Sequence, residues 1–164
     1  MYDFDFELTE KDFIGFGRDI MTIPRIRNMN LLICVLIFLF TFLLACMTLN
    51  NKVEIIVIAI ILLALIPCTM ILQGINTGKI NYKANNKFGY SRKMHFDDSG
   101  ITIDTGKSTT NINWNGIVEV YNKKNTILLF QTGLLAIIIP KRIFSTEQEI
   151  TEFFEYVKQR QCKE

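Results

Sequence analysis

The chain has 164 residues, 49% of them hydrophobic, a mean hydropathy of +0.25 and a formal net charge of +2. That length holds one small folded domain besides any membrane segment; the near-neutral balance by itself says little about partners, and no nucleic acid is expected among them. Cys34, Cys46, Cys68 and Cys162 have no metal-ligand spacing, so no metal and no other cofactor is expected and the thiols are read as free.

Residues 2 to 8, Tyr-Asp-Phe-Asp-Phe-Glu-Leu, alternate apolar with acidic side chains, the period of a strand with one buried face. So short a segment cannot form a sheet alone, which predicts that it joins a sheet made elsewhere in the chain. Thr9 and Asp12 read as a helix N-cap, with Phe13, Phe16 and Ile20 on one face and Gly15 and Gly17 weakening the helix. Pro24 marks a bend, and Arg25 and Arg27 are placed to meet lipid headgroups. Residues 1–30 are therefore a strand and an amphipathic juxtamembrane helix.

Residues 31–75 hold two apolar runs separated by the turn Asn50 to Glu54. The first, Leu31 to Leu49, is nineteen uncharged residues, or roughly 28 Å of helix against about 30 Å of hydrocarbon. Its thirteen Leu, Ile, Val and Phe residues favour insertion by roughly 4 to 8 kcal/mol. The second, Ile55 to Leu72 and on to Ile75, has the same character apart from Pro67, which a lipid-buried helix tolerates. Leu43-Leu44-Ala45-Cys46 superficially resembles a lipoprotein cleavage box, but the patterned residues before it and the second run after it argue against processing. Small residues Cys34, Thr41, Ala45 and Thr48 share one face of the first helix and Ala64 and Cys68 one face of the second, which predicts close packing of the pair.

Lys11, Arg18, Arg25 and Arg27 precede the first run, Lys79, Lys83, Lys87, Arg92 and Lys93 follow the second, and the turn has Lys52 alone. The positive-inside rule then puts both termini in the cytoplasm and makes the chain a two-span plasma-membrane protein. Residues 76–90 are polar and read as a linker or helical extension.

Residues 91–164 turn to short strands: Ser91–Phe96, Ile101–Asp104, Thr109–Asn113, Ile117–Asn122, Thr126–Gln131 and Leu134–Ile139. They are broken by Asp97-Asp98-Ser99-Gly100, Thr105-Gly106, Lys123-Lys124-Asn125 and Thr132-Gly133, which supply turn residues for a meander. The unbroken Ile137-Ile138-Ile139 suggests a strand covered on both faces. Ser145 with Gln148, or Thr146 with Glu149, then caps an amphipathic helix bearing Ile150, Phe153, Phe154 and Val157. The fold class that follows is a membrane α-helical hairpin plus an α+β unit, its strands curled into a small antiparallel barrel or sheet that the C-terminal helix caps.

This order of strands and helix resembles the pleckstrin-homology-like (PH-like) fold. More specifically the chain resembles the bacterial YcxB-like membrane proteins, through Leu8-Thr9-Glu10-Lys11-Asp12-Phe13, the two apolar runs, Phe96-Asp97-Asp98-Ser99-Gly100-Ile101, Trp114 with Ile117 and Val120, and Ile139-Pro140-Lys141-Arg142-Ile143-Phe144. The resemblance implies a two-span protein with a cytoplasmic domain, and it implies no catalytic residue.

His95, the only histidine, has no matched nucleophile, and Asp97-Asp98 fits a hairpin turn better than acid/base work. No enzyme is expected. Trp114 reads as buried before it reads as a binding aromatic. Lys141 and Arg142, projected by Pro140, and Lys123 and Lys124 on another turn are the candidate contacts for an anionic lipid headgroup or an acidic protein partner, provided the two turns share a side. Two function classes follow: a membrane-tethered interaction or regulatory module, or a small oligomeric conduit or transporter accessory. The absence of charge in the spans favours the first.

Overall fold

The computed structural model describes residues 1–49, 51–85, 89–132 and 135–161. It begins with β1 (Tyr2–Glu7), α1 (Glu10–Ile20), α2 (Pro24–Thr48) and α3 (Lys52–Asn85). Then come β2 (Ser91–Phe96), β3 (Gly100–Asp104), β4 (Thr109–Asn113), a 3-10 turn at Trp114–Gly116, and β5 (Glu119–Asn122). The chain goes on through β6 (Thr126–Thr132), β7 (Leu135–Pro140), a 3-10 turn at Lys141–Ile143, and α4 (Glu147–Gln161). Asn50, Lys87, Gly133, Leu134 and Cys162, which enter the expectations above, lie outside the described residues, as does the side chain of Lys52.

Two helices are long and apolar enough to cross a membrane. In α2 only Ala45 is buried, and no residue in the most apolar stretch of α3 is buried. A core helix of a soluble protein covers such a surface; here it faces outward, as a surface suited to lipid does. α3 is 34 residues long, about 51 Å at the helical rise, and runs on past the apolar stretch to Asn85.

In the apolar part of α2, from Leu31 on, the partly or fully buried positions are Cys34, Phe38, Thr41 and Ala45, three of the four residues of the expected face among them, while Thr48 is exposed. In the apolar part of α3, up to Leu72, they are Ile55, Ala59, Leu62, Ile66 and Met70, while Ala64 and Cys68 are exposed. The small-residue stripe of the second apolar helix is thus not the packing face. Between the two faces lies a cleft of about 290 Å³ bordered by Cys34, Phe38, Thr41, Leu62 and Ile66. Thr41 and Thr48 return their hydroxyls to carbonyls one turn back, those of Ile37 and Leu44, both at 2.9 Å.

The strands form two antiparallel sheets, β1-β2-β3-β4 and β5-β6-β7. β1 pairs with β2 from Tyr2 opposite Phe96 to Glu7 opposite Ser91, so the N-terminal strand does complete a sheet made 90 residues on. No strand pair joins the two sheets among the described residues, and the barrel expectation gives way to an open two-sheet arrangement. The reason is the link between β4 and β5. A 3-10 turn replaces a hairpin there and sinks Trp114 and Ile117 into the core, so β5 starts in the other sheet.

β6 alternates between two cores. Ile127 and Leu129 point into the first, with Phe96, Trp114, Ile139 and Phe153, where α4 closes the sheets. Leu128 and Phe130 point into the second, where Leu8, Phe13, Phe16 and Ile23 of the N-terminal segment pack on Ile138. The Ile137-Ile138-Ile139 run is buried throughout because both faces of its sheet are covered. α4 is capped at its start by Thr146, whose Oγ1 accepts from Glu149 N at 3.1 Å.

Candidate functional site

The two basic turns do share a side. Lys141 N donates to the Asn125 carbonyl at 2.9 Å, so the corner after β7 abuts the β5–β6 turn. What lies against them is α1. Its apolar stripe predicts a buried face without saying against what, and two of its acidic residues hold the two turns in place.

Asp12 is the first. It closes the N-terminal capping box, with Thr9 N and Oγ1 donating to its Oδ2 at 2.7 and 2.8 Å. Arg142 then grips the same carboxylate as a fork, Nε to Oδ1 at 2.8 Å and Nη2 to Oδ2 at 2.7 Å, and Nη2 also donates to the Glu7 carbonyl at 2.6 Å. The Asp12 side chain is 6% exposed and that of Arg142 49%. Burial works against the charge on Asp12, but the Arg142 bonds and then those of Thr9 outweigh it, and its carboxyl is held below the usual range. The same bonds raise the Arg142 guanidinium further.

Asp19 is the second. It lies seven residues on, two helical turns along the same face, and is 3% exposed. Its carboxylate accepts from Asn125 N at 2.9 Å, Asn125 Nδ2 at 3.1 Å and Thr126 Oγ1 at 2.8 Å. The β5–β6 turn is thereby pinned to the C-terminal end of α1, and the corner after β7 to its N-terminal end.

The opposite side of α1 meets α3 at a glycine crossing. A Cβ on Gly17 would fall on the Gly74 carbonyl and 2.7 Å from Gly78 N, and one on Gly78 would strike the Phe13 carbonyl and lie 2.6 Å from Ile14 Cα. Only hydrogen fits at that contact, so Gly17 is where two helix backbones touch and not merely a weak point in α1. Phe13 packs edge-on against Tyr82 of α3 at 5.7 Å between ring centres. Arg92 at the start of β2 adds a tie, its guanidinium donating to Asn85 Oδ1 at 3.1 Å and to the carbonyls of Gly89 and Ser91 at 3.0 and 2.8 Å. Burial without a carboxylate lowers its pKa.

The candidate contacts therefore divide. Arg142 is engaged by Asp12. Lys123 reaches the Thr22 carbonyl at 3.4 Å and sits 5.2 Å from the Tyr121 ring centre. Lys124 is exposed and Lys141 half-buried at the corner surface. Trp114 is 6% exposed in the core beneath α4, its indole N–H donating to the Asp97 carbonyl at 2.9 Å. Asp97 itself serves the turn, its Oδ1 accepting from Ser99 N and Oγ and from Gly100 N. Those bonds hold its carboxyl below the usual range. His95 stands between Asp3 at 2.5 Å and Asp97 at 3.6 Å on the sheet surface.

What sequence reasoning missed is the second role of Asp12 and the whole role of Asp19. The available signal was two carboxylates seven apart, both beside the apolar stripe Phe13, Phe16 and Ile20, where a solvated face was not expected.

No curated protein and no solved structure matches the chain. A family model, described as YcxB-like protein, matches residues 96–157. The match takes in the Asp97–Gly100 turn, Trp114, the basic corner and most of α4, while β1, α1 and the two apolar helices lie before it. The C-terminal segment of this chain, from the end of β2 to the last buried turn of α4, is YcxB-like.

Proposed function

We propose that the protein is a two-span plasma-membrane protein with both termini in the cytoplasm, and that its PH-like domain works as a non-enzymatic interaction or regulatory module. The observation that carries this reading is α1, held to the domain by Asp12 and Asp19 and to α3 by the Gly17 crossing. A domain wedged in this way follows the membrane helix, which suits a module that reports on or positions a partner at the bilayer. The two sheets of four and three strands with a terminal helix support the PH-like reading. The excess of Lys and Arg flanking the apolar helices, against Lys52 alone between them, supports the orientation. Lys124 and Lys141 form the contact surface offered to an anionic partner.

The reading is tested in two steps. A fluorescent reporter on either terminus is expected to mature in the cytoplasm, and alkaline phosphatase placed at the α2–α3 turn to be active outside. An extracellular terminus, or a full-length protein that stays soluble without detergent, would overturn the reading. A photocrosslinker at Lys124 in intact membranes should then trap a discrete partner. Solute flux through liposomes that a bulky residue at Thr41 abolishes would establish the conduit reading in its place.

A further inference from the structure

α1, α2 and α3 meet around a cleft of about 510 Å³ lined by Arg18, Met21, Thr22, Arg27, Met70 and Ile71. Its charge has one sign. Arg18 and Arg27 are both exposed, and among the described residues neither is in an ion pair. The acid next to Arg18 in sequence, Asp19, is turned away and occupied by Asn125 and Thr126. Lys123, bonded to the Thr22 carbonyl, brings a third cation to the rim. Asn30 of α2 donates to Met21 Sδ at 3.2 Å, which holds the end of α1 against the hairpin.

The depth of the cleft names its occupant. The uncharged run of α2 begins at Leu31, four residues after Arg27, or about 6 Å along the axis. The apolar run of α3 ends at Leu72, one residue after Ile71. Arg18 and Arg27 therefore stand at headgroup level, and Met70 and Ile71 at the edge of the hydrocarbon. One molecule present at that boundary has an anion and an apolar chain at this separation. We propose that the cleft binds an anionic phospholipid, its phosphate between the Arg18 and Arg27 guanidiniums and an acyl chain along Met70 and Ile71. Because Arg18 belongs to α1 and Arg27 to α2, a bound lipid ties the domain-bearing helix to the hairpin, beside the glycine crossing.

The proposal rests on the two-span reading and is tested on full-length protein that has already been reconstituted. In mixed micelles, phosphatidylglycerol is titrated against phosphatidylcholine with the same acyl chains, with glycerol phosphate as the headgroup alone. Phosphatidylglycerol is expected to saturate the protein, and the paired change Arg18→Gln, Arg27→Gln to weaken it about 30-fold, at roughly 5-fold per cation. Ile71→Trp, which fills the floor and keeps both arginines, should lose binding as well. Lys79→Gln with Lys83→Gln removes the same charge from the exposed cytosolic part of α3 and should leave the affinity within about twofold. Wild-type affinity in the arginine variant, equal loss in the lysine variant, or glycerol phosphate binding as well as the lipid would each overturn the proposal. A protein that fails to enter micelles or bilayers defeats the two-span reading instead, so the two failures are distinguishable.

Discussion

Removing Arg142 should release the domain from α1, and the size of the effect follows from where its partner sits. In Arg142→Met the Asp12 carboxylate, 6% exposed, keeps its two Thr9 bonds and loses the cation that grips it. An orphaned buried carboxylate costs about 3–5 kcal/mol, an exposed ion pair about 0–1 kcal/mol. Arg142 is half in water, so the cost of its removal should lie between these limits, about 2–3 kcal/mol. Asp12→Asn keeps an acceptor for Thr9 and removes the charge, at about 1.5–2 kcal/mol. The double variant has neither the charge nor its partner and should cost about 2.5 kcal/mol, well below the sum, leaving a coupling of roughly 1.5 kcal/mol. Urea unfolding of the micellar protein, followed by the fluorescence of the buried Trp114, measures all three. The pair also sets a pH limb. The Asp12 carboxyl is depressed in the folded state, so its contribution is complete above the unfolded value near pH 4 and fades as the pH falls below it. Arg142→Met should flatten that acid limb. Single effects that add within about 0.5 kcal/mol, or an unchanged limb, would refute the reasoning.

Gly17→Ala sets helix propensity against packing. Alanine gains about 1 kcal/mol in a free helix, but its Cβ would meet the α3 backbone at Gly74 and Gly78, and overpacking at about 1–3 kcal/mol wins. Faster amide hydrogen exchange in α1, with the strands of the first core unchanged, is the expected result; slower exchange in α1 would show that the helices separate freely. Ile139→Ala removes a fully buried side chain from the first core and should cost about 2–5 kcal/mol in the same urea assay, whereas Leu135→Ala, exposed on the same strand, should stay within about 0.5 kcal/mol.

Elements set by local pattern could be read without coordinates. The apolar runs of α2 and α3 are long enough to declare themselves, Thr9 and Asp12 announce the start of α1, and the Asp97–Gly100 turn and the Ile150, Phe153, Val157 stripe place β3 and α4 within a residue or so. These features depend on residues within a turn or two of one another, and side-chain periodicity records them directly. Even the pairing of β1 with the distant sheet followed from a local fact, that a single strand cannot satisfy its own backbone.

Tertiary structure decided which face met which. Period-two alternation told that β6 has two sides, but not that one would lie under α4 and the other under α1. Ala64 and Cys68 are as small as Cys34, Thr41 and Ala45 of α2, yet they face outward, because the rotation of one helix about its neighbour is set by the whole interface. The barrel opened where a 3-10 turn replaced a hairpin after β4. Arg142 changed from a cation offered to a ligand into a fastener because Asp12, 130 residues earlier, came within 2.8 Å. Charge, size and periodicity are properties of a residue and its near neighbours, whereas a salt bridge or a glycine crossing exists only once the chain has brought distant backbone together.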